Sequence, residues 1–396
     1  MNSKLKKSKP IILLLDIFGF FLFLIPLLAE RIFRKKKSQS FKNILLIELW
    51  GIGDLIILST ILRPLRDKFP NARISLLSKS YGKIIFKEHT YIDQYIDFDF
   101  PWTRFRGKYE LWSWSWAGLI RIISKLRKEK FDLILDARGD FRNNVLSFVI
   151  GAERRLGYTW TGGSYFLTDT PELDYKNRHR VDAWVGLLDL IELKVTSPKP
   201  NLDISDKEVR WTEDYLESQG VKKSDLLIGI HPGARIKTRC WPKDRFAKLA
   251  EYLKDNYTAQ IIVFEEPQGY GGDILIKNDF IKVKPSLREM MVLIKHLTLF
   301  ICNDGGPMHI ATALNTPVVA IFGPTNPDWF GPLGDRKSIV IKNDIKCRPC
   351  FDYCRFTEPI CLDRISIDEV IKATEKMLSD LGINPRREIY ERIYWE

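Results

Sequence analysis

LFICNDGGPMHIATALNTPVVAIFG, residues 299–323, decides the fold. The apolar run from Leu297 to Cys302 has the length of a buried strand. Asn303 to Gly306 turns the chain, and Pro307 falls in the first turn of a helix, where its missing N–H costs nothing. The helix runs to about Leu314. Asn315 to Pro317 stop it, and Val318 to Phe322 is a second apolar strand. Glycines at the helix mouth, Gly305 and Gly306, let a ligand approach free N–H groups at the positive end of the helix dipole. That setting suits a phosphate or pyrophosphate. Asp304 is placed to cap the helix or to hold a ribose hydroxyl, and His309 lies near the same end. The same spacing also describes an ordinary βαβ unit with a capping Asp and a satisfied His.

The pattern occurs again near the start of the chain. Phe41 to Leu49 reads as a strand, WGIGD (50–54) as its turn, Asp54 to Lys68 as a helix and Ile74 to Leu77 as the next strand. GIGD has two glycines rather than the G-x-G-x-x-G set, so the dinucleotide fingerprint is absent. An acid at this mouth is a poor phosphate neighbour. It is suited to take a proton from a sugar hydroxyl as a general base, although Asp at such a place is most often an N-cap. Phe131 to Asp136 is a further strand, and ARGDFRNN (137–144) follows at its C-terminal end, where ligands of open α/β sheets bind. Arg178, His179 and Arg180 precede another helix. They either meet an anionic acceptor or form a solvated charged face.

TSPKPN, 196–201, is a linker with two prolines and no apolar period. Beyond it the α/β alternation resumes, with a helix at Glu208–Gln219, a strand at Leu226–Ile230, a helix at Lys243–Lys254 and a strand at Gln260–Phe264. HPGARIKTRCWP (231–242) follows the first of these strands. Gly233 and Ala234 allow close backbone approach to a ligand. Arg235, Lys237 and Arg239 supply positive charge, and a guanidinium can grip phosphate bidentately; a plain basic loop would look the same. Trp241 either stacks on a ligand or packs. The whole predicts an α/β chain of two Rossmann-like domains facing across a cleft, 41–197 and 198–380. Residues 1–40 precede them as a membrane anchor with basic flanks. Residues 381–396 follow as a C-terminal helix that packs back on the first domain.

The chain has 396 residues and a net charge of +12, of which residues 1–37 carry +7. The excess therefore belongs mostly to one terminal segment, which points to an anionic membrane surface and away from nucleic acid. Ile11 to Ala29 is a hydrophobic run interrupted by Asp16, Gly19 and Pro26, just long enough to span a bilayer. It lacks a small-residue cleavage site. Spanning, re-entrant and interfacial arrangements all fit it, as does an unusual buried helix. PWTRFRGKYELWSWSW (101–116) has four tryptophans among basic residues, either an exposed aromatic–basic surface or core aromatics at a helix start. Cys347, Cys350, Cys354 and Cys361 have the spacing of a structural zinc site. In a reducing compartment zinc or free thiols are favoured over disulfides.

Four motifs in order resemble glycosyltransferase family 9, the ADP-heptose:lipopolysaccharide heptosyltransferases. They are ILLIELWGIGDLIILSTILRPLRDKFPNARISLL (44–77), DLILDARG (132–139), IGIHPGARIKTRCWPKDRFAKLAEYL (228–253) and ICNDGGPMHIATALNTPVVAIFGPTNP (301–327). The spaced cysteines followed by LDRISIDEVIKA are also similar to many members. The resemblance covers about residues 43 to 380.

It implies a GT-B fold, with the donor bound mainly by the C-terminal domain and the acceptor by the N-terminal one. It also implies inverting transfer of a sugar, heptose by family, from a nucleotide-diphosphate donor such as ADP-heptose, without a catalytic metal or other cofactor. Asp54 matches the family's catalytic aspartate. Asp304, Gly305, Gly306 and His309 match the donor motif, and Gly233, Arg235 and Arg239 extend it. Arg239 stands where members commonly have lysine, which keeps the charge and changes the geometry. Members often carry a Gly-Gly-Pro-x-Glu turn after the strand equivalent to Ile261–Phe264; here the chain reads EEPQGYGGD (265–273). Gly53, Arg138, Arg178 and Arg180 are the acceptor-side candidates. The partners implied are the nucleotide-sugar donor, a lipid-linked or lipopolysaccharide-type glycan acceptor and membrane lipid, at the cytoplasmic face of the inner membrane. A nucleotide-sugar epimerase of GT-B architecture and a non-catalytic sugar-nucleotide-binding scaffold are the alternatives. The hydrophobic anchor counts against the first, and retention of Asp54 with Asp304 and His309 against the second.

Overall fold

The computed structural model describes residues 39–104, 110–172, 178–265, 270, 280–334, 337–350 and 354–386. The hydrophobic run at 11–29, most of EEPQGYGGD and the last helix beyond Arg386 lie outside the described residues. Among the described residues no helix is long and apolar enough to cross a membrane. The chain divides into two compact units between Pro198 and Lys199.

In the first unit β1 (Asn43–Ile47), α1 (Ile52–Lys68), β2 (Arg73–Ser78), α2 (Tyr81–Ile85), β3 (Gln94–Asp97), α3 (Trp116–Lys128), β4 (Leu133–Asp136), α4 (Phe141–Ile150), β5 (Arg154–Gly157) and α5 (Val181–Asp189) follow one another. The strands form one sheet in the order β3-β2-β1-β4-β5, all paired in parallel. In a doubly wound sheet both faces are covered, so the strands are apolar throughout rather than alternating. NILLI and LILD obey this, and their side chains are almost wholly buried. The strand order reverses between β1 and β4, which makes the carboxyl ends of these two strands the place for a ligand.

The second unit repeats the plan with α6 (Asp206–Ser218), β6 (Leu227–His231), α7 (Lys243–Tyr257), β7 (Gln260–Phe264), β8 (Ile281–Val283), α8 (Leu287–His296), β9 (Leu299–Asn303), α9 (Gly306–Ala313), β10 (Val318–Phe322), α10 (Pro327–Phe330), β11 (Ser338–Lys342), α11 (Ile360–Asp363) and α12 (Ile367–Asp380). Its parallel sheet has the order β11-β10-β9-β6-β7-β8, so the reversal falls between β6 and β9. Phe264 and Phe300 meet edge to face beneath it, and both are fully buried. Truncation of either to Ala is expected to cost about 3–5 kcal/mol. Ser286 and Ser366 open α8 and α12 with capping boxes, each hydroxyl accepting an N–H from the Glu three residues on.

The aromatic stretch 101–116 divides between its two readings. Trp102 is buried with Phe100, and Trp114 packs against the same core, whereas Trp112 and Trp116 are exposed. Trp241 packs rather than stacks on a ligand. It is buried against Phe246, and its indole N–H donates to the Ile365 carbonyl at 2.9 Å.

Candidate active site

At the first reversal, β1 delivers Glu48, Leu49 and Trp50 to the mouth of α1. The helix begins at Ile52, two residues before the expected Asp54. Gly51 caps it without a side chain, while the Asp54 carboxylate reaches back to accept the Gly51 N–H at 3.0 Å. The other Asp54 oxygen lies 3.4 Å from the Arg138 guanidinium, which comes from the loop after β4 and covers the Trp50 ring at 4.4 Å. The Asp54 side chain remains 20% exposed, so a ligand can reach it.

Two buried acids stand behind this pair. Glu48 accepts the Trp50 N–H at 3.1 Å. Burial first, then the nearby Asp54 and Asp136, push its carboxyl up to about 8; Arg138 and the Trp50 N–H oppose the rise. Asp136 accepts the Arg138 N–H at 2.7 Å and an Asn143 amide hydrogen at 2.6 Å, yet burial holds its carboxyl up at about 6. The loop that carries Arg138 turns at Gly139, where φ is +65° and a Cβ would sit 2.6 Å from the Trp160 ring. Only glycine fits both demands.

At the second reversal, Asn303 joins the two strand ends. Its amide donates to the Pro232 carbonyl at 2.8 Å and its oxygen accepts the Trp241 N–H at 3.0 Å, which ties the 232–241 loop to β9. The tie brings Arg239 to 3.5 Å from the buried Asp304 carboxylate. The N-cap position of α9 falls to Gly305 rather than Asp304, whose Oδ2 accepts the Thr325 hydroxyl. Gly305 brings no side chain to that cap, and Pro307 in the first turn has no N–H to satisfy. His309 is buried within that helix. A guanidinium beside the glycine-lined mouth of a helix is an arrangement that suits an anion.

Comparison with known proteins decides what these two sites belong to. The family model described as "Glycosyltransferase family 9 (heptosyltransferase)" matches residues 119–360. The chain belongs to glycosyltransferase family 9. It is 26% identical over 316 residues to lipooligosaccharide heptosyltransferase 2 of Haemophilus influenzae, covering 75% of this chain and 88% of the relative. Among solved structures, a family 9 glycosyl transferase from Veillonella parvula superposes with a TM-score of 0.69 at 23% identity, covering 86% of this chain and 98% of that one. An ADP-heptose lps heptosyltransferase II from E. coli does so with 0.67 at 21%, covering 86% and 99%. The fold class is α/β and GT-B-like, and the chain is a glycosyltransferase.

In this family 9 chain the expected site residues fall into groups. Gly53, Asp54 and Arg138 meet at the first reversal. Gly233, Arg239, Asp304, Gly305 and Gly306 meet at the second, with His309 behind them. Arg235 is exposed on the same loop. Arg180 is no solvated charge: it is buried, lies 5.1 Å from the Trp160 ring and donates to the Ala137 carbonyl at 3.3 Å, bracing the Arg138 loop. Arg178 is exposed.

Glu48, Asp136, Asn303 and Thr325 were not among the expected residues. An acid inside the apolar run ILLIEL, and a polar residue ending LFICN, are the signals that mark Glu48 and Asn303.

Cys347, Cys350, Cys354 and Cys361 all lie among the described residues. All are thiols, and among the described residues no group of three or more His, Cys, Asp or Glu could hold a metal ion. Cys361 is buried, and burial with the neighbouring Cys350 and Cys347 thiols pushes its own up to about 11. Their loop is tied to the strand end at the second site. The Cys350 N–H donates to the Pro324 carbonyl at 3.0 Å and Arg348 to the Thr325 carbonyl at 3.1 Å.

Proposed function

We propose that the protein is an inverting heptosyltransferase. It would move heptose from ADP-heptose, or a close nucleotide-sugar, to a lipid-linked glycan of the lipopolysaccharide type at the cytoplasmic face of the inner membrane. The observation that carries the reading is the solvent-reaching Asp54 carboxylate at the carboxyl end of β1, in a chain of this family. The names of the relatives support heptose and lipopolysaccharide, and that of the E. coli structure supports ADP-heptose.

In the proposed step Asp54 takes the proton of an acceptor hydroxyl. The freed oxygen pair forms a bond to the anomeric carbon from the face opposite the diphosphate. The anomeric C–O bond breaks, and the diphosphate leaves with its electron pair, so the configuration inverts. Arg239 and the first N–H groups of α9 hold the charge that builds on the leaving group. These groups let the transfer proceed without a divalent cation. Gly305 and Gly306 permit the diphosphate to approach the backbone, and Gly233 does the same on the facing loop. Arg235 and His309 complete the donor side. Arg138 keeps Asp54 aimed, and with Gly53, Arg178 and Arg180 it makes the acceptor side. Residues 11–29 attach the enzyme to the membrane, with 1–40 as the anchor, 41–197 as the acceptor domain, 198–380 as the donor domain and 381–396 as a packing helix.

The test is a donor screen on the detergent-solubilised full chain, with nucleoside diphosphate release measured from ADP-, GDP- and UDP-sugars with and without lipid-linked acceptor. Lipid-dependent ADP release from ADP-heptose, with an inverted anomeric centre in the product, is expected. Release from another donor would overturn heptose. Donor binding without release under every lipid condition would overturn the transferase step.

A further inference from the structure

The face of α3 that points away from the core has no role in either site. Leu119, Ile122 and Leu126 are buried and fix the helix on the first unit. The opposite side leaves large apolar groups in water. Trp112, in the turn before the helix, is 84% exposed, Ile120 is 68% exposed and Trp116 is 52% exposed. The Trp116 indole N–H donates to the Leu111 carbonyl at 3.0 Å, which holds the turn and the helix start together. From residue 111 to residue 128 the only charged side chains are Arg121, Lys125, Arg127 and Lys128, all exposed. A contiguous apolar patch of this kind marks an interaction surface.

We propose that this face docks on an anionic lipid bilayer. Tryptophan is the residue that settles at the level of lipid headgroups. A helix with apolar residues outward and cations beside them has the pattern of an interfacial helix, and each cation gains from a negative membrane surface. Arg121, Lys125 and Lys128 flank the apolar patch, which is where a negative membrane surface rewards cations. The surface is separate from residues 11–29 and does not depend on the sugar transferred.

The full chain is mixed with vesicles of brominated phosphatidylcholine, alone or with phosphatidylglycerol, and tryptophan fluorescence is read. Quenching that rises with the phosphatidylglycerol fraction is expected. The double variant Trp112→Phe/Trp116→Phe should lose the phosphatidylglycerol-dependent part while keeping its thermal midpoint. Neutralising Arg121, Lys125 and Lys128 to Gln should raise the lipid needed for half-maximal quenching by about fivefold per charge. Nine of the eleven tryptophans remain in the double variant and residues 11–29 contain none, so the difference between parent and variant isolates positions 112 and 116 from insertion of that segment. Quenching in the Phe variant equal to that of the parent would overturn the proposal. So would quenching indifferent to lipid charge together with a dimer that the same variants split, which would assign the face to a second copy of the chain. Turnover on detergent-dispersed acceptor should be unchanged in both variants, so docking and transfer can fail separately.

Discussion

The two sheet reversals carry the same pair of residue types at nearly the same distance and use them differently. Arg138 lies 3.4 Å from Asp54, and Arg239 lies 3.5 Å from Asp304. The arginines are similarly exposed, at 29% and 22%, but Asp54 is 20% exposed and Asp304 only 4%. Asp54 keeps one face toward solvent and is held by a backbone N–H and one guanidinium. Asp304 is enclosed, and its Oδ2 faces both the Thr325 hydroxyl and the Arg239 guanidinium. Depth therefore separates a carboxylate that can exchange a proton with a ligand from one that aims a cation. A buried charge is tolerated only when paired, whereas a half-buried one remains available.

The contrast is broken most severely by one isosteric change made twice. Asp54→Asn should lower turnover by about a thousandfold, with donor affinity and thermal midpoint near those of the parent, as steady-state kinetics and calorimetry would show. Unchanged turnover would remove Asp54 from the role of base. Arg239→Ala should raise the donor KM by roughly 10–100-fold through loss of a charge-assisted contact, with a smaller rise in Arg239→Lys. Titration of ADP against the three proteins checks the ranking, and equal affinities would place the diphosphate elsewhere. Asp304→Asn should cost about 1–3 kcal/mol in denaturant unfolding and weaken donor binding as well, because a buried partner of Thr325 and Arg239 is altered. A purely kinetic defect at Asp304 would erase the distinction drawn from depth.

The smallest expected effect concerns the acid behind Asp54. Glu48 sits at about 8 in the folded protein and near 4.5 when unfolded. Between those values the folded state holds a proton that the unfolded state has lost. Stability therefore falls as pH rises through that window, by up to about 1.4 kcal/mol per unit, and levels above it. Glu48→Gln should flatten that part of the profile. Asp136, raised to about 6, contributes a similar fall at lower pH that survives in the variant. Parallel profiles for parent and variant from pH 6 to pH 8 would contradict the burial of an ionisable Glu48.

Much of the fold is readable from the sequence because parallel strands covered on both faces are continuous apolar runs. NILLI, QIIVF, LFICN and VVAIF stand out without periodicity analysis. The glycine turns mark their carboxyl ends, so the location of both sites is also legible. The pairings are not. Arg138 and Asp54 are 84 residues apart and Arg239 and Asp304 are 65 apart, and no local rule joins them. Nor does local sequence reveal depth. Arg180 reads like a solvated charge and lies buried over Trp160, while four tryptophans in one stretch are divided between core and solvent by the turn at Leu111–Ser113. Glu48 is marked by being the one acid in the apolar run ILLIEL, but the Asp54, Asp136 and Arg138 charges that act on it at the end of β1 come from elsewhere in the chain.

Asn303 has a consequence for how this protein can change. Its amide fixes the 232–241 loop entirely through main-chain atoms, the carbonyls of Pro232 and Gly233 and the N–H of Trp241. Main-chain atoms are the same whatever side chains the loop carries. Positions 235, 237 and 239 can therefore be rewritten one at a time while the loop keeps its place. A substitution at Arg239 would leave the anchorage by Asn303 intact. A clasp made on the backbone alone separates the placing of the loop from the chemistry of its side chains.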